Sequence, residues 1–228
     1  MNILTLIPAR EGSKRILNKN LALLGGKPLL VYTIEAALAA GVSENVYVST
    51  DSELIAQVAE KSGAKIIMRP ADIATDTSSI ESAIIHACNV VESASNVKID
   101  LVLTLSPTSP LRTAHTIREF VSYFDKVKAR YDALFSLTES RADYWLRGKE
   151  GEFIRLFPHA PRRSQERQPL FIENSALYIT KKKALIENGS ILGKKCAGFL
   201  LSTIESLDIN EIGDLQIAEF ILAGRLIK

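Results

Sequence analysis

Asn2-Ile-Leu-Thr-Leu-Ile-Pro8 runs straight into Ala9-Arg-Glu-Gly-Ser-Lys-Arg15. Between Asn2 and Pro8 the first segment is aliphatic on both alternating faces apart from Thr5, the pattern of a strand covered on both sides in a parallel sheet. The second is too small and polar to form an element and reads as a loop leaving the strand's carboxyl end. A doubly covered strand feeding a cationic loop predicts an α/β fold, because parallel strands need helical crossovers to bring the chain back.

The rest of the chain repeats that unit. A helix is predicted from Pro28 to about Ala40: Pro28 suits a first turn, Leu30, Ile34, Ala37 and Leu38 form the stripe, and Gly41 is the stop. Asn45–Ser49 is a second strand. Asp51 or Ser52 caps a helix to about Ser62 with Leu54, Ile55, Val58 and Ala59 inward. Ala64–Met68 is a third strand, and Ile80, Ala83, Ile84, Ala87, Cys88 and Val91 set a helix near Ser79–Val91. Ile99–Leu105 is a strand and Thr113–Lys128 a helix. Ala133–Leu137, Phe171–Thr180 and Cys196–Leu201 are further strands, and a last helix runs from Ile212 to Ile227 on Leu215, Ala218, Ile221 and Leu222. Ligands of such sheets sit at the carboxyl ends of the strands. The loops Ala9–Asn20 and Ser106–Arg112 both follow strands and belong on that edge.

One stretch breaks the alternation. Glu139 to about Leu170 holds Tyr144, the only Trp (Trp145), Phe153, Phe157, three prolines and the cations Arg162, Arg163 and Arg167. It reads as an excursion from the core. Left on a monomer its aromatics would form an exposed apolar patch, and such patches mark interfaces.

Composition narrows the function classes. The chain has 228 residues, with 28 Lys and Arg against 26 Asp and Glu, a net +2 that is too even for a protein living on nucleic-acid phosphates. A chain of this size buries roughly 70% of its unfolded surface, so one core suffices without disulfides or zinc. Cys88 and Cys196 are far apart and form no CxxC pair. Apolar runs such as Leu101–Leu105 fall far short of the roughly 18 residues that span a bilayer, and no basic n-region opens a signal peptide. A soluble, reduced, cytoplasmic protein without membrane or nucleic-acid partners is the expectation.

Arg10, Lys14, Arg15 and Lys19 lie within ten residues, interleaved with Gly12 and Ser13. Small residues let the backbone approach a phosphate, and the cations neutralise it, Arg bidentately. The pattern is neither GxxxxGK[ST] nor GxGxxG, which disfavours a P-loop enzyme and a dinucleotide dehydrogenase. His86 reads as a structural histidine beside its helix stripe and His115 as a surface residue. His159 lies between prolines.

Ile7-Pro-Ala-Arg-Glu-Gly-Ser-Lys-Arg-Ile-Leu-Asn-Lys-Asn20 resembles the opening motif of the CMP-acylneuraminate synthetases, the cytidylyltransferases that activate sialic acid and related nine-carbon sugars. The resemblance continues in order through Val48-Ser-Thr-Asp51, Arg69-Pro70, Ala74-Thr-Asp-Thr77, Ser106-Pro-Thr-Ser-Pro-Leu-Arg112, Asn174-Ser-Ala-Leu-Tyr178 and Ser206-Leu-Asp-Ile-Asn210. It implies a Rossmann-like nucleotidyltransferase (GT-A-like) domain over 1–228, with a dimerisation excursion at about 139–170. It implies that Arg10, Ser13, Lys14, Lys19 and Asn20 hold the triphosphate of CTP, and that Arg69 and Ser79 help seat the cytidine. Asp208 would hold Mg²⁺ or Mn²⁺, and Arg10, Lys19 and Asp208 would carry catalysis. Ser106, Pro107, Thr108, Ser109, Arg112, Arg163, Asn174 and Tyr178 would line the side of the acidic sugar, Arg163 reaching across from the partner of a homodimer.

Five positions depart from the family pattern: Ser106 stands where Gln is usual, Asn210 where a second Asp is common, Ser175 where Gly is commoner, and Ile191 and Leu192 where aromatics are frequent. The implied reaction is CMP transfer from CTP to the anomeric hydroxyl of a nonulosonic acid. The alternatives are the same chemistry on legionaminic, pseudaminic or 3-deoxy-manno-octulosonic acid, or a non-catalytic nucleotide-binding module whose metal site has decayed.

Overall fold

The structure, a computed structural model, describes residues 1–13, 15–75 and 77–224. In chain order its strands are β1 (Ile3–Pro8), β2 (Leu23–Leu24), β3 (Lys27–Pro28), β4 (Val46–Thr50), β5 (Lys65–Met68), β6 (Leu101–Leu105), β7 (Ala133–Ser140), β8 (Trp145–Arg147), β9 (Phe153–Arg155), β10 (Leu170–Lys181) and β11 (Cys196–Leu200). The helices are α1 (Leu29–Ala40), α2 (Glu53–Lys61), α3 (Ile80–Ser95), α4 (Ala114–Val127), α5 (Lys182–Asn188) and α6 (Ile212–Leu222).

Seven strands form one sheet in the order β11-β7-β10-β6-β1-β4-β5. Strand β1 is central and parallel to both neighbours, Thr5 lying opposite Val46 of β4 and Leu103 of β6. Only β10 runs against the rest, between β6 and β7. The mainly parallel α/β sheet expected from the alternation is therefore what the chain adopts, with one reversed strand.

The alternation along β1 shows why both faces are covered. Leu4 and Leu6 join Ile84, Ala87, Cys88, Val102 and Leu185 under α3 and α5. Ile7 joins Leu30, Ile34, Leu103, Ile117, Phe120 and Phe124 under α1 and α4. Each such side chain, fully buried, contributes roughly 1.5–3 kcal/mol by leaving water, so both layers pull the same strand inward. Gly41 ends α1 at φ 63, a left-handed value that costs glycine little. Thr113 and Ser79 cap α4 and α3 by accepting the backbone N–H of Thr116 and Ser82.

The departures from the sequence reading have local causes. Helix α5 and the β2–β3 hairpin are too short to show periodicity. In α6 only Ala218 of the expected stripe is buried; Leu222 is exposed, as are Ile212, Ile217 and Phe220. Residues 225–228, where the expected helix would have ended, lie outside the described residues. Strand β7 reaches Ser140 because Leu137–Ser140 pair with Leu170–Glu173, and this ribbon carries the excursion away from the sheet. The excursion holds its own hairpin, β8–β9. Its cations are better paired than neighbouring sequence implies: Asp143 takes Arg155 at 2.8 Å and Arg167 at 3.4 Å. That leaves Arg163, opposite Glu166 at 3.4 Å, largely in solvent. Both cysteines are free, Cys88 buried and Cys196 exposed. Among the described residues no helix is long and apolar enough to cross a membrane.

Within β10 the register shifts between Glu173 and Tyr178, and Ser175 at the shift has φ 58. A non-glycine residue in that region costs roughly 1–2 kcal/mol, and a β-branched one more. Ser175→Gly is expected to keep the urea-unfolding midpoint close to wild type, relief of strain offsetting the added chain freedom. Ser175→Val is expected to lose about 2 kcal/mol in the same measurement. Equal stability of the two variants would show that the bulge imposes no such torsion.

Candidate active site

The carboxyl ends of β1 and β6 open onto a cleft of about 360 Å³ lined by Arg10, Ser13, Arg15, Lys19, Asn20, Ser106, Pro107, Thr108 and Asn210, among others. Its position follows from the sheet, since β1 and β6 are adjacent and parallel and their following loops leave on the same edge. The first loop is tied down at several points. Ala9 N–H donates to Ser49 O at 2.9 Å, Glu11 N–H to Asp51 Oδ1 at 3.0 Å, and Asn20 Nδ2 to Arg10 O at 2.9 Å. Asn18, in the left-handed region at φ 50, turns the chain so that Lys19 points back into the cleft.

Asp51 is therefore no helix cap: its carboxylate pins the loop, while Ser52 occupies the cap position without a side-chain bond. Sequence reasoning missed this, because an Asp before a helix start looks like a cap wherever it points. Arg69 lies on the same edge, half-buried, its guanidinium donating to Ser49 O at 2.9 Å and Ser49 Oγ at 3.3 Å. Burial depresses its pKa; Asp51 opposes that and Arg10 adds to it. Arg10 Nη1 reaches Thr75 O at 3.4 Å, linking the first loop to the segment that leads to Ser79. Ser79 spends its hydroxyl on capping α3. Lys14, expected among the phosphate ligands, lies outside the described residues.

On the far side of the cleft Thr108 and Asp208 meet. The Thr108 hydroxyl donates to Asp208 Oδ1, and Ile209 N–H to Thr108 O at 2.8 Å. Asn210 Nδ2 donates to Asp208 Oδ2 at 2.6 Å, and Asn210 Oδ1 lies 3.5 Å from Lys19 Nζ, which also donates to Ile209 O at 2.7 Å. Lys19 titrates below its usual range, because burial outweighs the attraction of Asp208 and Asp214 while Arg15 adds repulsion. Asp208 thus stands beside the cationic cleft, held by two neutral donors.

The expected sugar side divides. Ser106, Pro107 and Thr108 line the cleft itself. Asn174 is locked: its Oδ1 accepts from Ser136 Oγ at 2.5 Å and its Nδ2 donates to Thr138 Oγ1 at 2.9 Å. Tyr178 is buried and its hydroxyl donates to Glu173; burial and that bond raise its pKa. Ser109 is buried, and among the described residues its hydroxyl has no partner. Arg112 is only 3% exposed; its Nη1 and Nη2 donate within the protein, at Ala176 O, Thr33 Oγ1 and Ser106 O, and its buried Nε has no hydrogen-bond partner among the described residues. It lines no sugar pocket in this structure, because the loop folds over it. Arg163 is out on the excursion, opposite Glu166, and is not among the described residues that line this cleft.

A mainly parallel sheet with one reversed strand and a cationic cleft at its carboxyl edge defines a nucleotidyltransferase-type α/β protein. Residues 4–145 match the family described as cytidylyltransferase, and the chain belongs to that family. It is 38% identical over 96% of its length to a CMP-N,N'-diacetyllegionaminic acid synthase of Legionella pneumophila, covering 95% of that protein. It is 32% identical over 95% of its length to an N-acylneuraminate cytidylyltransferase of Escherichia coli, of which it spans 51%. A solved CMP:2-keto-3-deoxy-manno-octonic acid synthetase complexed with CTP shares the fold at a TM-score of 0.68, 16% identity and coverage of 99% of this chain and 100% of that one.

Proposed function

We propose that this protein transfers CMP from CTP to the anomeric hydroxyl of a nonulosonic acid and releases pyrophosphate. The observation that carries the reading is the cationic cleft beside Asp208, set in a chain that matches a CMP-nonulosonic acid synthase along nearly its whole length. In the reaction the hydroxyl oxygen bonds to the α-phosphorus, and the bond from that phosphorus to the β-phosphate oxygen breaks. The phosphorus is shielded by negative oxygens, so attack requires that charge to be neutralised and the leaving group held in line. Arg10, Ser13, Lys19 and Asn20 are the groups we assign to the triphosphate, with Arg69 and Ser79 on the cytidine side.

The residues present suit a magnesium ion. It characteristically takes one or two carboxylates and completes its shell with substrate phosphates and water, and Asp208 supplies a carboxylate next to the place assigned to those phosphates. The ion would offset charge on the departing pyrophosphate. The described residues lining the cleft include no histidine or carboxylate, so we assign removal of the hydroxyl proton to the substrate's own oxygens. A pyrophosphate-release assay with CTP and a panel of sialic, legionaminic, pseudaminic and 3-deoxy-manno-octulosonic acids tests the reading. Turnover is expected with at least one of the first three. CTP binding without release on any sugar would mark a nucleotide-binding module instead.

Asp208→Asn keeps an oxygen for Thr108 but removes the charge, and is expected to raise the half-saturating Mg²⁺ concentration by on the order of tenfold or more. Asn210→Asp is expected to shift it the other way. An unchanged Mg²⁺ titration in Asp208→Asn would remove Asp208 from the metal site.

A homodimer built through the excursion is part of this proposal. Trp145, Leu146, Phe153, Ile154, Phe157, Phe171 and Ile172 are all exposed on one chain, and a patch of this kind calls for a covering surface. Arg163, free of the cleft in its own chain, would then reach the partner's sugar side. Mixing an Arg162→Ala/Arg163→Ala variant with a Lys19→Ala variant should restore activity absent from either alone, since one hybrid site is whole. A monomer in sedimentation, or no rescue from verified heterodimers, would defeat this arrangement.

A further inference from the structure

Arg112 ends the loop that follows β6, and nothing about its sequence position distinguishes a ligand-binding arginine from a buried one. Its guanidinium is closed off from solvent, and its hydrogen bonds run to neutral oxygens: Nη1 to Ala176 O at 2.7 Å, Nη2 to Thr33 Oγ1 at 3.2 Å and to Ser106 O at 3.3 Å. Thr33 Oγ1 donates in turn to Ser106 O at 3.2 Å, and Ser106 N–H donates to Ala176 O at 3.2 Å. Four residues from α1, the β6 loop, the start of α4 and the β10 bulge thus close one knot. The nearest acid, Glu205, is already engaged by Thr113 N–H at 3.2 Å and by the hydroxyls of Thr113, Thr116 and Ser202. Burial pulls the Arg112 pKa down to about 10, against a smaller opposing effect of Glu205, so it stays charged at neutral pH. A buried cation held by carbonyls is a poor device for stability, because desolvation offsets most of what the bonds return. It is a good device for geometry, since a planar fork fixes several acceptors relative to one another.

The knot ties the β6 loop, which lines the cleft, to the β10 bulge. From Ser106 a chain of contacts runs through Ser106 Oγ to Thr108 Oγ1 at 2.9 Å, then to Asp208, Asn210 and Lys19. From Ala176 the bulge continues to Asn174, whose Oδ1 accepts Ala176 N–H at 3.3 Å, and to Tyr178. We propose that Arg112 is a positioning residue: it touches no substrate, and it sets the spacing between the β6 loop, whose Ser106 and Thr108 line the cleft beside Asp208, and the β10 bulge that carries Asn174 and Tyr178. The proposal rests on the cytidylyltransferase reading for its kinetic consequence and on the geometry alone for its structural one.

The test uses Arg112→Lys, Arg112→Met and Thr33→Val, with two readouts: kcat and KM for CTP and sugar, and amide hydrogen exchange across the chain. Arg112→Lys keeps the charge and loses the fork. It is expected to lower kcat by on the order of tenfold to a hundredfold, as small misplacements at a reacting centre do, with KM for CTP nearly unchanged. Exchange should quicken at Ile209 and around Ala176 and stay as in wild type in β1 and β4. Thr33→Val, close to isosteric, should shift both readouts the same way by less, and it decides the matter should Arg112→Met fail to fold. Unchanged kcat in Arg112→Lys and Thr33→Val overturns the proposal, as does exchange that rises uniformly in β1 and β4 as well. A wild-type protein that releases no pyrophosphate with any sugar fails the functional reading instead. The exchange comparison then stands alone, local loosening supporting the knot and uniform or absent change refuting it.

Discussion

The central strand carries the architecture. Because β1 is parallel to both neighbours and apolar on both faces, the chain must return each time through a helix, and helices must cover both sides of the sheet. Three loops are thereby delivered to one edge: the one after β1, the one after β6 and the one before α6. Residues distant in sequence, such as Lys19 and Asn210, become neighbours at that edge without any local motif linking them. The cleft is a consequence of strand direction before it is a consequence of any individual side chain.

That dependence explains what could be read from the sequence. The doubly apolar runs of β1 and β6, the stripes of α1, α2 and α3 and the stop at Gly41 are local signals, and the elements lie where they fall, although Leu38, Leu54 and Ile80 of those stripes are exposed. The hairpin β8–β9 left no such signal, since Trp145, Leu146, Phe153 and Ile154 are exposed and alternate with nothing. The same limit applies at the site. The loop of Arg10 and Lys19 announces itself by density of charge, whereas the partnership of Thr108 with Asp208 joins positions a hundred residues apart and shows only in space. Arg112 misleads for the opposite reason: it sits in a recognisable motif, but the fold turns its guanidinium into the protein. Asp143, which holds Arg155 and Arg167 together inside the excursion, likewise has no sequence signature beyond its charge.

The excursion and the cleft differ in how they handle cations. Within the excursion Asp143 pairs directly with two guanidinium groups, cancelling one of their two charges and tying the segment together as a small unit on its ribbon. Around the cleft Lys19 is held by Ile209 O and Arg69 by Ser49 O, both neutral carbonyls. Neutral partners fix position without cancelling charge, so the edge keeps a positive field for an anion to enter. Carboxylate partners in the same places would hold the side chains equally well and remove that field.

Asn210 is where the two requirements meet. A carboxylate at that position would stand 2.6 Å from Oδ2 of Asp208 if nothing else moved, and two anions so close cannot both stay ionised unless a cation lies between them. The amide removes that conflict. Its Nδ2 donates to Asp208 while its Oδ1 faces Lys19, so one neutral side chain orients an anion and a cation together. The side chains can therefore hold one another in place, with Asp208 beside the cleft between Thr108 and Asn210. In the proposed reaction a second anionic ligand would be given up, and with it part of the attraction for a hard divalent ion, which the phosphates of CTP would have to make good.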